Sequence, residues 1–365
     1  MKRFCSLILA LGVICCGCRA VAAASNWKAM VYRGASDASA AVALGPDMFV
    51  VGDDENNILR VYRTEGGLPV YSYDLSGFLK TETEHPEADI EGATRIGQRV
   101  YWITSHGRNK DGKLRPNRYR FFATDVYLRA GRVHIAPVGK PCRGLLKSML
   151  AVGALRDMGL DEAAGVGVAG FSKKDRKKLA PKEEGLNIEG LCASADGRTL
   201  YIGFRNPRPS DKSDRFAGAL VLPLENAPQV VAGGARPVFG EPMLWDLGGL
   251  GIRSMEYSAP HGKYFIVAGR HDGEPGFVLY GWSGRQDEPP RPIRRLIGSD
   301  FGPEALVPFD GPPRLLLLSD DGTLPVAVNG PGQCAEGKLN DDGTCPNKFL
   351  LDSNRKSFRG MWFEP

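Results

Sequence analysis

Asp89-Ile90-Glu91-Gly92-Ala93-Thr94 runs through a turn at Gly97 into Val100-Tyr101-Trp102-Ile103-Thr104, then leaves as Ser105-His106-Gly107-Arg108. An acid opens an apolar run, a glycine turns it, and a β-branched and aromatic run returns to a polar end, which is the signature of an antiparallel hairpin. The layout recurs from Asn187-Ile188-Glu189-Gly190 to Phe204-Arg205, from Ser254-Met255-Glu256-Tyr257 to Gly269-Arg270, and from Pro303-Glu304-Ala305 to Ser319-Asp320. A fifth copy, Asp37-Ala38-Ser39 to Gly52-Asp53, carries serine at the acid position.

Each hairpin is followed by a third strand: 58–62, 119–126, 219–224, 277–282 and 358–363. The first four copies have a candidate fourth strand as well, such as 70–73 or 132–138. The last copy has none, and the unassigned segment from Trp27 to Tyr32 fits that vacancy. Repeats of this length stack into closed arrays. The reading is an all-β, five-bladed β-propeller, with six blades as the alternative, closed by its N- and C-terminal strands. The 46 Gly and 26 Pro, a fifth of the 365 residues, agree with a turn-rich chain, since ordinary usage is roughly 12%. Residues 25–365 then form a single domain with a small helical insertion at about 140–186, whose apolar positions Leu146, Met149, Leu150 and Leu155 suit a helix over 145–158. The charged run from Lys173 to Lys178 reads as a solvated helix face.

Residues 1–24 have a charged start, an apolar run from Phe4 and an Ala22-Ala23-Ala24 end, the pattern of a signal peptide cleaved after Ala24. The alternative is a lipoprotein anchored at Cys18. Loss of Lys2, Arg3 and Arg19 takes the net charge from +5 to +2, so nucleic acid is not implied. The apolar run is too short to span a bilayer comfortably, and the expected product is a periplasmic or secreted monomer. In an oxidising compartment Cys334 and Cys345 are expected to pair, closing a Gly/Asn/Asp-rich loop. Whether Cys142 and Cys192 pair is left open. Gly165-x-Gly167-x-x-Gly170 matches a dinucleotide fingerprint by letter, but no strand precedes it, so no nucleotide cofactor is expected.

In an antiparallel blade the start of the first strand and the end of the second share one face. The channel-mouth carboxylates are therefore expected to be Glu91, Glu189, Glu256 and Glu304, joined by the long loops 106–117, 140–184 and 321–356. Arg108, Lys110, Arg205 and Arg270 are the expected anion-binding set, since arginine grips phosphate and carboxylate oxygens. Glu304, Asp320 and Asp53, neighbours across the closure seam with Asp37, Asp54 and Asp321, are the candidate metal ligands, suited to Ca²⁺ or another hard divalent cation. His106 is the candidate proton carrier, with Glu91 as its catalytic partner. Together these suggest a divalent-cation-assisted hydrolase of anionic esters such as phosphoesters. The alternatives are a non-catalytic propeller binding an anionic small molecule or an envelope protein, and a glycan hydrolase using Glu91 with Glu256.

Through Asp89-Ile90-Glu91-Gly92, the run Ser105-His106-Gly107-Arg108-Asn109-Lys110, Gly203-Phe204-Arg205-Asn206-Pro207 and Leu318-Ser319-Asp320-Asp321-Gly322, the chain resembles a bacterial family of secreted β-propellers catalogued as a domain of unknown function. The resemblance covers the whole mature chain and implies the fold without an activity. More distantly, the acid-Gly strand starts are similar to those of phytase-like and lactonase-like propellers, which implies mouth carboxylates that hold Ca²⁺ or a catalytic divalent ion.

Overall fold

The computed structural model describes residues 29–166, 170–210, 217–296, 300–311 and 313–365. The leader expected at 1–24, with Cys18, lies outside these residues, as do Trp27 and Gly167. Five four-stranded antiparallel sheets account for most of the described chain. Blade one is Ala38–Ala43, Met48–Asp53, Ile58–Arg63 and Tyr71–Asp74. Blade two is Ile90–Ile96, Arg99–Thr104, Phe121–Arg129 and Arg132–Cys142. Blade three is Asn187–Ala193, Leu200–Asn206, Ala219–Leu224 and Met243–Trp245, and blade four is Gly251–Ser258, Lys263–Gly269, Phe277–Trp282 and Arg291–Leu296. Blade five takes Pro303–Pro308, Leu315–Ser319 and Ser357–Phe363 from the C-terminal end and its outer strand, Met30–Arg33, from the N-terminal end. Met30 pairs with Gly360 and Tyr32 with Phe358.

The first strands of successive blades pack against each other around the ring, and that of blade five packs on that of blade one. This is the five-bladed β-propeller expected, closed by both chain ends. An apolar cluster fills each of the five blade-to-blade interfaces. Trp102 lies between blades one and two, Trp282 between three and four, and Tyr32, Phe49, Tyr62 and Phe358 at the closure seam, all fully buried. Because both faces of the inner strands are covered, these strands read as near-continuous apolar runs such as Leu315-Leu316-Leu317-Leu318, all buried.

The first strand of every blade carries a β-bulge one or two residues after its start, at Ser39, Glu91, Glu189, Arg253 and Glu304. A bulge re-aims one side chain out of the pleat, and here it does so once per blade at the channel. A small residue follows each: Ala40, Gly92, Gly190, Ser254 and Ala305. A Cβ at Gly92 would come within 2.9 Å of Ile103 Cγ2 and 3.1 Å of Leu191 Cβ, so the small residue lets adjacent inner strands approach.

Between blades two and three, the expected single helix over 145–158 is two short helices, Leu145–Met149 and Gly153–Asp157, followed by Leu160–Ala164. Gly153 and the extended Val152 break the run, yet Leu145, Met149, Leu155 and Leu160 are all buried. Lys173–Lys178 is a helix capped by Ser172 with no buried residue, as a solvated face requires. No helix among the described residues is long and apolar enough to cross a membrane.

Within blade five, the excursion between its second and third strands holds the hairpin Pro325–Ala327 with Thr344–Pro346 and the expected Cys334–Cys345 disulfide. Cys142 and Cys192 are free. Lys348 ties this excursion to the mouth through Glu55, Nζ to Oε1 at 2.6 Å. The Cys334→Ala/Cys345→Ala variant is expected to lose about 3 kcal/mol of loop stability by the chain-entropy estimate. Limited proteolysis should then cleave preferentially within 321–356, and an unchanged cleavage pattern would contradict that role for the bridge.

Candidate functional site at the channel mouth

Three tiers of side chains meet where the first strands begin and the second strands end. The bulge tier is Ser39, Glu91, Glu189, Arg253 and Glu304. Two residues earlier stand Asp37, Asp89, Asn187, Gly251 and Gly302, and on the second strands, one place past the partner of the residue before each bulge, stand Asp54, Ser105, Arg205, Gly269 and Asp320. Side chains alternate along a strand, so His106, Asn206, Arg270 and Asp321, one place further on, leave the channel, while Glu55 of blade one stays on the cavity wall. Most of the three tiers line one cavity of about 660 Å³, whose rim includes Lys110, Arg115, Lys182 and Lys348. Its walls hold eleven carboxylates against seven Lys and Arg.

The charges divide into two lobes. On one side Glu189 bridges two buried arginines, with Oε1 2.7 Å from Arg205 Nη1 and Oε2 2.9 Å from Arg253 Nε, and Arg253 also contacts Glu304. Arg205 further donates to the His271 carbonyl. Such a network is tolerable in the interior only because every charge has a partner.

The other lobe is acidic and spans blades five, one and two. Carboxylate oxygens of Asp54, Asp89 and Glu91 lie within 4.8 Å of one another, as do those of Asp37, Asp53 and Asp54. Asp89 has a partner in Arg118 at 3.0 Å, and Asp53 a distant one in Arg60 at 3.9 Å. Asp37 takes a hydrogen bond from Ser36, and its backbone bridges that of Asp320. Its carboxylate lies so close to Gly322 that a Cβ there would collide with it. Glu91, only 9% exposed, accepts no hydrogen bond and makes no ion pair among the described residues, and Asp54 Oδ1 is buried without a partner. Burial, then the neighbouring carboxylates, raise Asp37, Asp54 and Glu91 well above the usual carboxylate range. Burial likewise lifts Asp53, to about 6, against the opposing charge of Arg60. Carboxylates so placed are stable when a proton or a cation sits among them.

Of the expected site residues, Glu91, Glu189, Glu304, Lys110, Arg205 and Asp320 line the cavity. Others do not, for reasons of register. Glu256 lies three residues past its blade's bulge, where its Oε1 accepts from Thr94 Oγ1 at 3.1 Å and the Tyr257 amide at 2.9 Å, beside Cys192. It is therefore not a mouth carboxylate, and Arg253 holds that position instead. The signal in the sequence was the polar-then-small pair Arg253-Ser254, equivalent to Glu91-Gly92. Arg270 stands one place beyond the outlet tier, is exposed and pairs with half-buried Asp272. Arg108 donates to the carbonyls of Gly112, Ala164 and Gly165, fastening the helical insertion.

His106 follows Ser105 and is likewise off the cavity. At φ 53° and 1% exposure, its ring lies against Tyr119 and its Nδ1 is 2.9 Å from the Thr104 carbonyl. Burial lowers its pKa to about 4, so it is neutral near pH 7 and holds the turn rather than facing Glu91. Glu304 is committed to Arg253, which corrects its place in the expected metal set. Asp53 and Asp320 do belong to the acidic lobe, together with Asp37, Asp54, Asp89 and Glu91. Asp321 is held by Arg359 at 2.8 Å and Ser319 at 2.8 Å.

No protein-family model and no curated protein matches this chain. Among solved structures, the glutaminyl cyclase of Myxococcus xanthus superposes with a TM-score of 0.40 at 10% identity, over 80% of this chain and 88% of that one. The PQQ-bound aldose sugar dehydrogenase of Streptomyces coelicolor gives 0.37 at 11% identity, over 92% and 99%. The fold assignment rests on the strand pairing of this chain and not on these similarities.

Proposed function

We propose that the channel mouth is a divalent-cation-dependent site that hydrolyses small anionic esters, in a protein working in an oxidising compartment outside the cytoplasm. The observation that carries this reading is the convergence of Asp54, Asp89 and Glu91, with Glu91 buried and unpartnered. All-oxygen donors suit Ca²⁺ or Mg²⁺. A bound cation of this kind polarises an ester oxygen and acidifies a coordinated water.

The residues supply the rest. Lys110, Arg115 and Lys182 line the cavity without a carboxylate partner among the described residues, so they are free to hold the anionic end of a ligand. Arg205 and Arg253 are occupied by glutamates and shape the opposite wall. Asp37 and Asp320, neighbours across the closure seam, would take and return a proton. The commitment of both mouth arginines to internal pairs favours a second reading, a non-catalytic propeller that binds an anionic ligand through the same cation.

A panel of phosphoesters and lactones, assayed with Ca²⁺ or Mg²⁺ and again after EDTA, tests the choice. Turnover that disappears with chelation and in Glu91→Gln is expected. Saturable, cation-dependent ligand binding without turnover would replace the first reading by the second.

A further inference from the structure

Outside the channel, where blade two meets the helical insertion, the surface is strongly basic. The loop after blade two's second strand carries Lys110, Lys113 and Arg115, and every residue of the helix Lys173–Lys178 except Asp175 is basic. Eight cations thus stand against two acids, Asp111 and Asp175, in these two segments. Asp175 accepts a hydrogen bond from Ser172 Oγ at 2.6 Å and serves the helix cap. Lys173, Lys174, Lys177 and Lys178 are exposed and make no ion pair among the described residues. Glu184, whose amide donates to the Lys178 carbonyl, marks the edge of the patch. The two segments form one platform. A Cβ at Gly112 would collide with the Arg176 carbonyl, so the helix lies directly on the loop. Arg108 fastens the same junction, donating to the Gly112 carbonyl at 3.2 Å and the Gly165 carbonyl at 3.3 Å. Close along the chain from these carbonyls stand Leu114 and Val166, 53% and 52% exposed.

We propose that this platform docks the protein peripherally on an anionic bilayer, with the four exposed lysines of the helix on the headgroups and Leu114 and Val166 at the acyl boundary. Lysines act on such a surface as point charges, and apolar side chains beside them add buried area. A free polyanion would use the lysines and leave Leu114 and Val166 in water. Lysine is depleted in protein–protein interfaces, which favours a lipid surface over an acidic protein. Lys110 and Arg115 belong to both the platform and the cavity rim, so docking sets the channel mouth beside the membrane. No mouth carboxylate takes part, and the docking stands or falls apart from the cation-dependent chemistry.

Co-sedimentation with vesicles of equal parts phosphatidylglycerol and phosphatidylcholine, against vesicles of phosphatidylcholine alone, tests this. Wild type is expected to prefer the anionic vesicles at about 50 mM salt and to lose that preference at about 500 mM, where charge is screened within a few ångströms. The variant Lys173→Gln/Lys174→Gln/Lys177→Gln/Lys178→Gln should bind on the order of 100-fold more weakly, since each lysine near an anionic surface is worth up to roughly fivefold. Leu114→Ser/Val166→Ser should weaken vesicle binding roughly tenfold through lost apolar burial while leaving retention on immobilised heparin unchanged. The substituted side chains are exposed, so both variants should melt with wild type. Absence of a preference for anionic vesicles, or a preference that survives the lysine substitutions, would overturn the proposal. Lysine-dependent retention on heparin without vesicle binding would replace the bilayer by a soluble polyanion.

Discussion

Arg253→Ala is expected to destabilise the protein by about 3–5 kcal/mol, the usual cost of removing one partner from a buried ion pair. Its guanidinium, 4% exposed, is shared between Glu189 and Glu304. Glu189 would keep Arg205, but Glu304 would lose its only ion-pair partner among the described residues. Arg270→Ala, in the same blade, should leave stability unchanged, because its exposed pair with Asp272 is screened by water. Urea unfolding of the two variants separates them. Equal, small effects would show that the bulge does not place Arg253 in the channel network.

Glu256→Gln is expected to raise stability at pH 8 by up to about 4 kcal/mol while changing little near pH 4.5, since each tenfold difference in proton affinity between native and unfolded chain is worth about 1.4 kcal/mol. Burial lifts the Glu256 pKa from 4.5 to about 8, although its contacts with the Tyr257 amide, Thr94 and Cys192 oppose the change. Between those values the unfolded chain has released the proton that the native state keeps. Wild-type stability should therefore fall as pH rises from about 4.5 to 8 and level off above. Gln keeps the Oε1 acceptor for Thr94 and Tyr257 and carries no charge, so its profile should be flatter. Unfolding free energies at pH 5, 6.5 and 8 check this, and parallel profiles for the two proteins would contradict it.

The repeat period made the architecture legible. Hairpins opening at Asp89, Asn187 and Pro303 fix where blades begin, and the missing fourth strand of the last copy pointed to the N-terminal segment now seen as Met30–Arg33. The acids at the seam were visible as a group for the same reason, since Asp37, Asp53, Asp54 and Asp320 all flank strand ends. What the letters concealed was register at the level of one residue. A bulge cannot be seen in a pattern of apolar residues, and a shift of one place turns a side chain from the channel to the far side. That is why Ser105 and Gly269, not His106 and Arg270, occupy the outlet tier, and why Glu256 reads by its letters as the equivalent of Glu91. Blade four is the hardest to register because its bulge carries an arginine where three others carry glutamate. The internal commitment of Arg205 and Arg253 was also hidden, because a charge count does not show which pairs form.

Calcium-dependent thermal stability tests the central claim most directly. If the acidic lobe is a cation site, adding Ca²⁺ at 100 times its Kd to EGTA-stripped wild type should add about 2.7 kcal/mol for each site filled, and raise Tm by several degrees. Asp54→Asn should show no shift under the same conditions. A wild-type Tm unmoved by millimolar Ca²⁺, Mg²⁺ or Mn²⁺, or a shift of equal size in Asp54→Asn, would contradict the account.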